Sequence, residues 1–249
     1  MSVLEALAIV GAGLAAGTIN TIVGSGSLIT FPTLLAFGFS PVVANVSNSV
    51  GLVPGSVSGS IAYRSELHGQ RPRLIVLGAA ALAGGITGAV LLLALPGSVF
   101  RHVVPVLILV ACVLVAVQPR LSARLALRQD RPVHGGPMLF VTVYLTGVYG
   151  GYFGAAQGVI LLSLLGIFLS DHLQRLNATK NVLAFLVNAV AGVIFIAFSH
   201  IAWEAAGLLA AGSIVGGQIG GTVGRRLPAP LLRAVIIVVG VIAAIALLV

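Results

Sequence analysis

Hydrophobic positions run through this chain in long blocks, broken at intervals by short polar clusters. The blocks lack the period-two alternation of strands, so they predict helices rather than a β-barrel. Ten helical pieces emerge, at 3–23, 27–38, 42–62, 73–95, 99–118, 137–153, 157–170, 173–199, 203–224 and 230–249. The pieces at 27–38 and 157–170 are short. At about 1.5 Å per residue, neither comfortably crosses a hydrocarbon core of about 30 Å. The stretch NTIVGSGSLITFP (20–32) places Gly24, Ser25, Gly26, Ser27 and Pro32 inside an apolar run. A straight membrane helix has no use for them, whereas a helix that breaks there does. FGAAQG (153–158) interrupts the later run in the same way. Each reads as the tip of a helical hairpin, formed by two short helices or by a re-entrant loop.

Composition turns these helices into membrane spans. Hydrophobic residues make up 59% of the chain and charged residues 7%, with a mean hydropathy of +1.16. A soluble domain carries roughly 25% charged residues, so the lipid bilayer is the expected surroundings. The net charge of +8 comes from twelve Arg and one Lys. The arginines cluster in loops without interleaved aromatics, which argues for membrane topology and against a nucleic-acid partner. The basic loops at 63–73, 118–137 and 225–233 are expected inside, and 37–41 and 198–203 outside. Crossing parity then requires the pieces within 137–170 to form a hairpin or a pair of short helices, and it places both termini outside. The N-terminus has Glu5 and no basic leader region, so 3–23 is expected to be a retained span. The lone Cys112 excludes an intramolecular disulfide and a cysteine metal cluster.

A displacement of 132 positions superposes the two halves without gaps. Gly26 falls on Gly158, Asn45 on Asn177, and His68 on His200. Gly84, Gly85 and Gly88 fall on Gly216, Gly217 and Gly220, and Leu95-Pro96 on Leu227-Pro228. Each half crosses an odd number of times, so the halves are inverted. The expected fold is all-α: a polytopic integral membrane helical bundle of two inverted five-helix repeats with short or re-entrant hairpin helices. The repeats are 1–118 and 137–249, joined by a cytoplasmic basic linker at 119–136. Paired broken helices in inverted repeats mark secondary transporters, with the substrate where the breaks meet.

The polar residues follow the same register. Gly24, Ser25, Gly26 and Ser27 at one tip, and Gly154, Gln157 and Gly158 at the other, bring helix N-termini, glycines and side-chain donors together. That combination suits an anion. Close helix packing is the alternative use of such glycines. Asn45, Ser47 and Asn48 are matched by Asn177, Thr179, Lys180 and Asn181, and unpaired amides should face the bundle interior. Lys180 offers an anion a charge or, alternatively, snorkels to the interface. Ser56, Asn188 and Gln218 read as lone interhelical hydrogen-bonding residues. No acid lies mid-membrane, no nucleophilic triad or P-loop is present, and the scattered histidines lack metal-ligand spacing. The expectation is therefore no enzyme, no metal and no cofactor.

GLAAGTINTIVGSGSLITFPTLL, SPVVANVSNSVGLVPGSVSGSIAY, GGYFGAAQGVILLSLLG and RLNATKNVLAFLVNAVA together resemble the sulfite exporter (TauE/SafE) family of membrane permeases. The likeness covers nearly the whole chain. It implies transport of small sulfur-containing or organic anions across a bacterial cytoplasmic membrane. The expected partners are a small anionic substrate and lipid, with homo-oligomerisation left open. A non-transporting membrane scaffold is the alternative function.

Overall fold

The computed structural model describes residues 1–126, 136–222 and 229–248, which form ten α-helices. These are α1 (Val3–Ile22), α2 (Ser27–Ala36), α3 (Pro41–Ala62), α4 (Arg71–Ala94), α5 (Gly97–Ala126), α6 (Pro137–Tyr152), α7 (Gln157–Phe168), α8 (Leu173–Phe198), α9 (Trp203–Thr222) and α10 (Ala229–Leu248). A short 3-10 turn, Arg64–Leu67, precedes α4. The expected basic stretches around Arg128 and Arg131 and around Arg225, Arg226 and Leu227-Pro228 lie outside the described residues.

Local sequence explains the helix ends. Ser2 and Glu5 form a reciprocal capping box at the start of α1: the Ser2 hydroxyl accepts the Glu5 N–H at 3.2 Å, and Glu5 accepts the Ser2 N–H at 2.9 Å. Proline occupies the first turn of α3, α4 and α6, where its missing N–H costs nothing. α5 continues to Ala126, beyond the expected end at 118. Leu, Ala and Arg, all strong helix formers, dominate that extension. α2 and α7 are short as expected, with 10 and 12 residues. Four helices, α1, α4, α5 and α8, each contain a stretch long and apolar enough to cross a membrane. Large apolar side chains face outward on the flanking helices, including Val106, Val113, Val238 and Ile242, as lipid contact favours.

The helices exchange partners in a regular way. α1 packs along α9, and α6 packs along α4. α3 likewise packs on α9 and α8 on α4, while α3 crosses α8 and α5 lies against α10. Exchanging each of α1–α5 for the helix five places on, and each of α6–α10 for the one five places back, converts one member of such a pairing into the other. Small residues permit the closest of these contacts. A Cβ on Gly84 would lie 2.2 Å from the Tyr144 carbonyl oxygen, and one on Gly216 only 2.1 Å from that of Leu14. Lipid tails are as apolar as leucine, so backbone-close packing takes the place of hydrophobic burial between such helices.

An ion-pair cluster joins the start of α4 to the start of α8. Asp171 accepts from Arg73 at 2.8 Å and from Arg175 at 2.9 Å, and from the His172 N–H at 2.9 Å. Arg175 also donates to the His68 carbonyl at 3.1 Å. Burial works to raise the Asp171 carboxyl, but the hydrogen bonds from Arg73 and His172 and the two guanidinium charges outweigh it and hold it below the usual range.

Two outcomes follow from this packing. Gly216→Val should collapse monodispersity and thermal stability in detergent. Gly207→Ala, with nothing within 4 Å of its added Cβ, should behave as wild type. Equal tolerance at both positions contradicts the packing account. The stabilisation from Asp171 is fully present above the unfolded-state carboxyl pKa and disappears as pH falls through its depressed folded value. Asp171→Asn should therefore lower the melting temperature at neutral pH, with the difference from wild type closing in strong acid. A pH-independent difference would count against the linkage.

Candidate functional site

The two helix breaks meet in the middle of the bundle. α1 ends at Ile22, and the chain turns through Gly24, whose φ of 91° favours glycine, before α2 begins at Ser27. α6 ends at Tyr152, and the chain turns through Gly154 and a left-handed Ala156 (φ 58°) before α7 begins at Gln157. The tips touch through backbone: the Gly158 N–H donates to the Gly24 carbonyl at 3.0 Å. A Cβ on Gly24 would lie 2.4 Å from Gly158 Cα, and one on Gly158 would lie 2.5 Å from Gly24 Cα. Only glycine permits this approach.

The carbonyls at the end of α1 need partners, because four C=O groups at a helix C-terminus lack intrahelical ones. α8 supplies them. Lys180 Nζ donates to the Asn20 carbonyl at 2.9 Å and to the Thr21 carbonyl at 3.3 Å. Asn177 Nδ2 donates to the Thr21 carbonyl at 3.0 Å, and Asn181 Nδ2 reaches the same oxygen at 3.5 Å. Lys180 is 0% exposed, so it does not snorkel. Its ammonium sits at the negative end of the α1 dipole, with one of its three N–H groups beyond the two carbonyl bonds.

The matched residues of α3 make related contacts. Asn45 Nδ2 donates to the carbonyl of Tyr152 at the end of α6, at 3.0 Å. Ser47 Oγ accepts the Ala202 N–H ahead of α9 at 2.9 Å, and the Thr179 hydroxyl donates to Gln70 Oε1 ahead of α4 at 2.8 Å. Asn45, Ser47, Asn177 and Thr179 thus tie helices together and do not line the cavity between the tips.

That cavity is small, about 20 Å³, on the scale of a single water's requirement. The tips contribute Gly24, Ser27, Gly154, Gln157 and Gly158. α1 contributes Asn20 and Thr21, α3 contributes Ser56, and α8 contributes Lys180, Asn181, Ala184 and Asn188. Seven of the residues expected from sequence therefore converge on one space, and none of the lining residues is acidic. Gln157 is 3% exposed, and its Nε2 donor has no hydrogen-bond partner. Ser25 is buried with its hydroxyl unpartnered but does not line the cavity. Gly26 packs on α1, since a Cβ there would lie 2.3 Å from the Ala16 carbonyl oxygen. Asn48 lies behind Ser27 and donates to its hydroxyl at 3.2 Å.

Five lining residues were not among the expected set: the polar Asn20, Thr21, Ser56 and Asn188, and Ala184. Ser56 and Asn188 read as isolated polar positions, yet they stand 132 residues apart, in the register that relates the halves. Ser56 bonds the Leu52 carbonyl of its own helix at 3.0 Å, not a neighbouring helix. Gln218 does bond across helices, to Ser58.

The family model described as "Sulfite exporter TauE/SafE" matches residues 9–247. Among curated proteins, the chain is 27% identical over 236 residues to the "Probable membrane transporter protein YfcA" of Escherichia coli (strain K12), covering 91% of this chain and 83% of that protein. It is 27% identical over 242 residues to the "Probable membrane transporter protein ORF9" of Sinorhizobium sp, covering 94% and 88%. It is also 27% identical over 230 residues to a "Probable membrane transporter protein" of Haemophilus influenzae, covering 91% and 88%. No solved structure matches.

Lys180→Met keeps the length of the side chain and removes the ammonium from the α1 terminus. It should lower stability in detergent by roughly 1–3 kcal/mol, the cost of leaving buried carbonyls short of donors. An unchanged melting temperature would show that the ammonium does not hold this helix end.

Proposed function

Because the chain belongs to the sulfite exporter TauE/SafE family, a family of membrane transporters, we propose that it is a secondary permease moving a small anion across the bacterial cytoplasmic membrane. The substrate class is a sulfur-containing oxyanion or an organosulfonate. The route is alternating access between two inverted five-helix repeats, 1–118 and 137–249, with the anion held where the tips meet.

The observation that carries this reading is the convergence on one cavity of Lys180, the unpartnered Gln157 amide and both hairpin tips. Unpaired donors in a membrane interior are costly, and an anion supplies the acceptors they lack. The partner exchange among the helices supports the repeat arrangement. Non-helical backbone at membrane depth is tolerated where it lines a cavity or is buried in protein, which is how both breaks are placed. At about 20 Å³ the cavity is on the scale of one water, so alternating access requires the tips to part for the anion to enter. The relatives named as membrane transporters support transport over a scaffolding role.

Proteoliposome flux of thiosulfate, sulfite and sulfoacetate tests the reading. Lys180→Gln should raise half-saturation by roughly tenfold or more, the scale of a lost hydrogen bond from a charged group. Lys180→Arg should lose less. Unchanged half-saturation in Lys180→Gln, normalised to inserted protein, removes the lysine from the site. Absence of flux for every anion in the wild type overturns the permease reading for this substrate class.

A further inference from the structure

Ser27 opens α2 and faces the cavity. Its hydroxyl oxygen accepts Asn48 Nδ2 at 3.2 Å. Asn48 Oδ1 in turn accepts the Thr30 hydroxyl. Thr30 and Asn48 are 0% and 1% exposed, and neither lines the cavity. A hydroxyl has one proton and two lone pairs. One Ser27 lone pair is engaged by the amide, and among the described residues no acceptor takes its proton. The O–H is therefore free to donate into the cavity. Its polarity is set two residues back: the Thr30 hydroxyl lies 3.5 Å from the Gly26 carbonyl but closer to Asn48 Oδ1, and while its single proton goes to Oδ1 the amide cannot turn that oxygen toward Ser27 without losing the bond. Chains of this kind reinforce their own direction in a low-dielectric interior.

We propose that Thr30 and Asn48 are positioning residues that hold the Ser27 hydroxyl as a donor, so that this end of the cavity recognises an oxyanion oxygen carrying no proton. The inference rests on the anion reading of the cavity given above. Lys180 and the Gln157 amide present donors to the same space. In the second half, the positions matching Ser27, Thr30 and Asn48 are Val159, Leu162 and Lys180. The first half thus supplies an oriented dipole where the second supplies a charge, and neither half repeats the other's device.

The test is calorimetric titration of the purified full-length protein with thiosulfate and with inorganic phosphate, which carries a proton at neutral pH. Every variant is required to be monodisperse. Thiosulfate should bind the wild type. Ser27→Ala and Thr30→Val should each weaken it roughly tenfold, and the double variant should lose no more than either alone. Thr30→Ser, which keeps the hydroxyl, should bind as wild type. Freed from Thr30, the Asn48 oxygen can take the Ser27 proton and leave Ser27 presenting a lone pair. Thr30→Val should therefore cost phosphate less than thiosulfate, moving their affinity ratio toward phosphate. Additive losses, equal losses for the two anions, or no rescue by Thr30→Ser overturn the relay while leaving the anion site standing. Failure of the wild type to bind either anion overturns the anion site and this inference with it.

Discussion

Everything in this bundle is arranged around the cost of interrupting a helix inside a membrane. Each break exposes carbonyls on one side and N–H groups on the other, with no water to satisfy them. At the end of α1 the answer is a buried ammonium flanked by two amides from α8. At the end of α6 it is one amide from α3. Between the breaks, the tips satisfy one another through the Gly158–Gly24 hydrogen bond. The first and second five helices are joined by these bonds as well as by close helix packing.

The two breaks resemble each other in position and differ in chemistry. Asn20 and Thr21 precede the first tip and line the cavity. The residues 132 positions on, Tyr152 and Phe153, join Phe31 and Phe100 in an aromatic cluster with ring centroids 5.3–6.1 Å apart. Both breaks reach the cavity, the first through Gly24 and Ser27 and the second through Gly154, Gln157 and Gly158, but only the second is preceded by aromatic rings packed away from it. Under the proposed function this places the substrate beside α1 and α8 and leaves the aromatic end as a packed support. Lys180, the basic residue among those lining the cavity, lies on the side of α1 and α8, where a ligand anion has the most to gain from it.

Much of this was legible in the sequence. Ten helices, their approximate ends and both breaks follow from hydrophobic blocks and misplaced glycines, because a membrane restricts backbone to few solutions. The 132-residue register located the tips and Lys180. It also contained Ser56 and Asn188, which went unrecognised because serine in one half aligns with asparagine in the other. What sequence did not reveal is which polar residues tie helices together and which face the cavity. Asn177 and Asn181 sit one turn apart on α8, yet only Asn181 lines the cavity. Gly26 and Gly158 align, yet the first packs on α1 and only the second lies against the cavity. These differences depend on how neighbouring helices rotate about their axes, and a single chain's pattern does not encode that.

The central claim is that the space between the tips is a substrate site reached from one face of the membrane at a time. The direct measurement is labelling of a single cysteine at Ser56, in a Cys112→Ala background, by a membrane-impermeant thiol reagent applied to each face in turn. The account predicts modification from both faces, slowed from both by thiosulfate. Modification from one face alone, or rates from both faces indifferent to the anion, would contradict it.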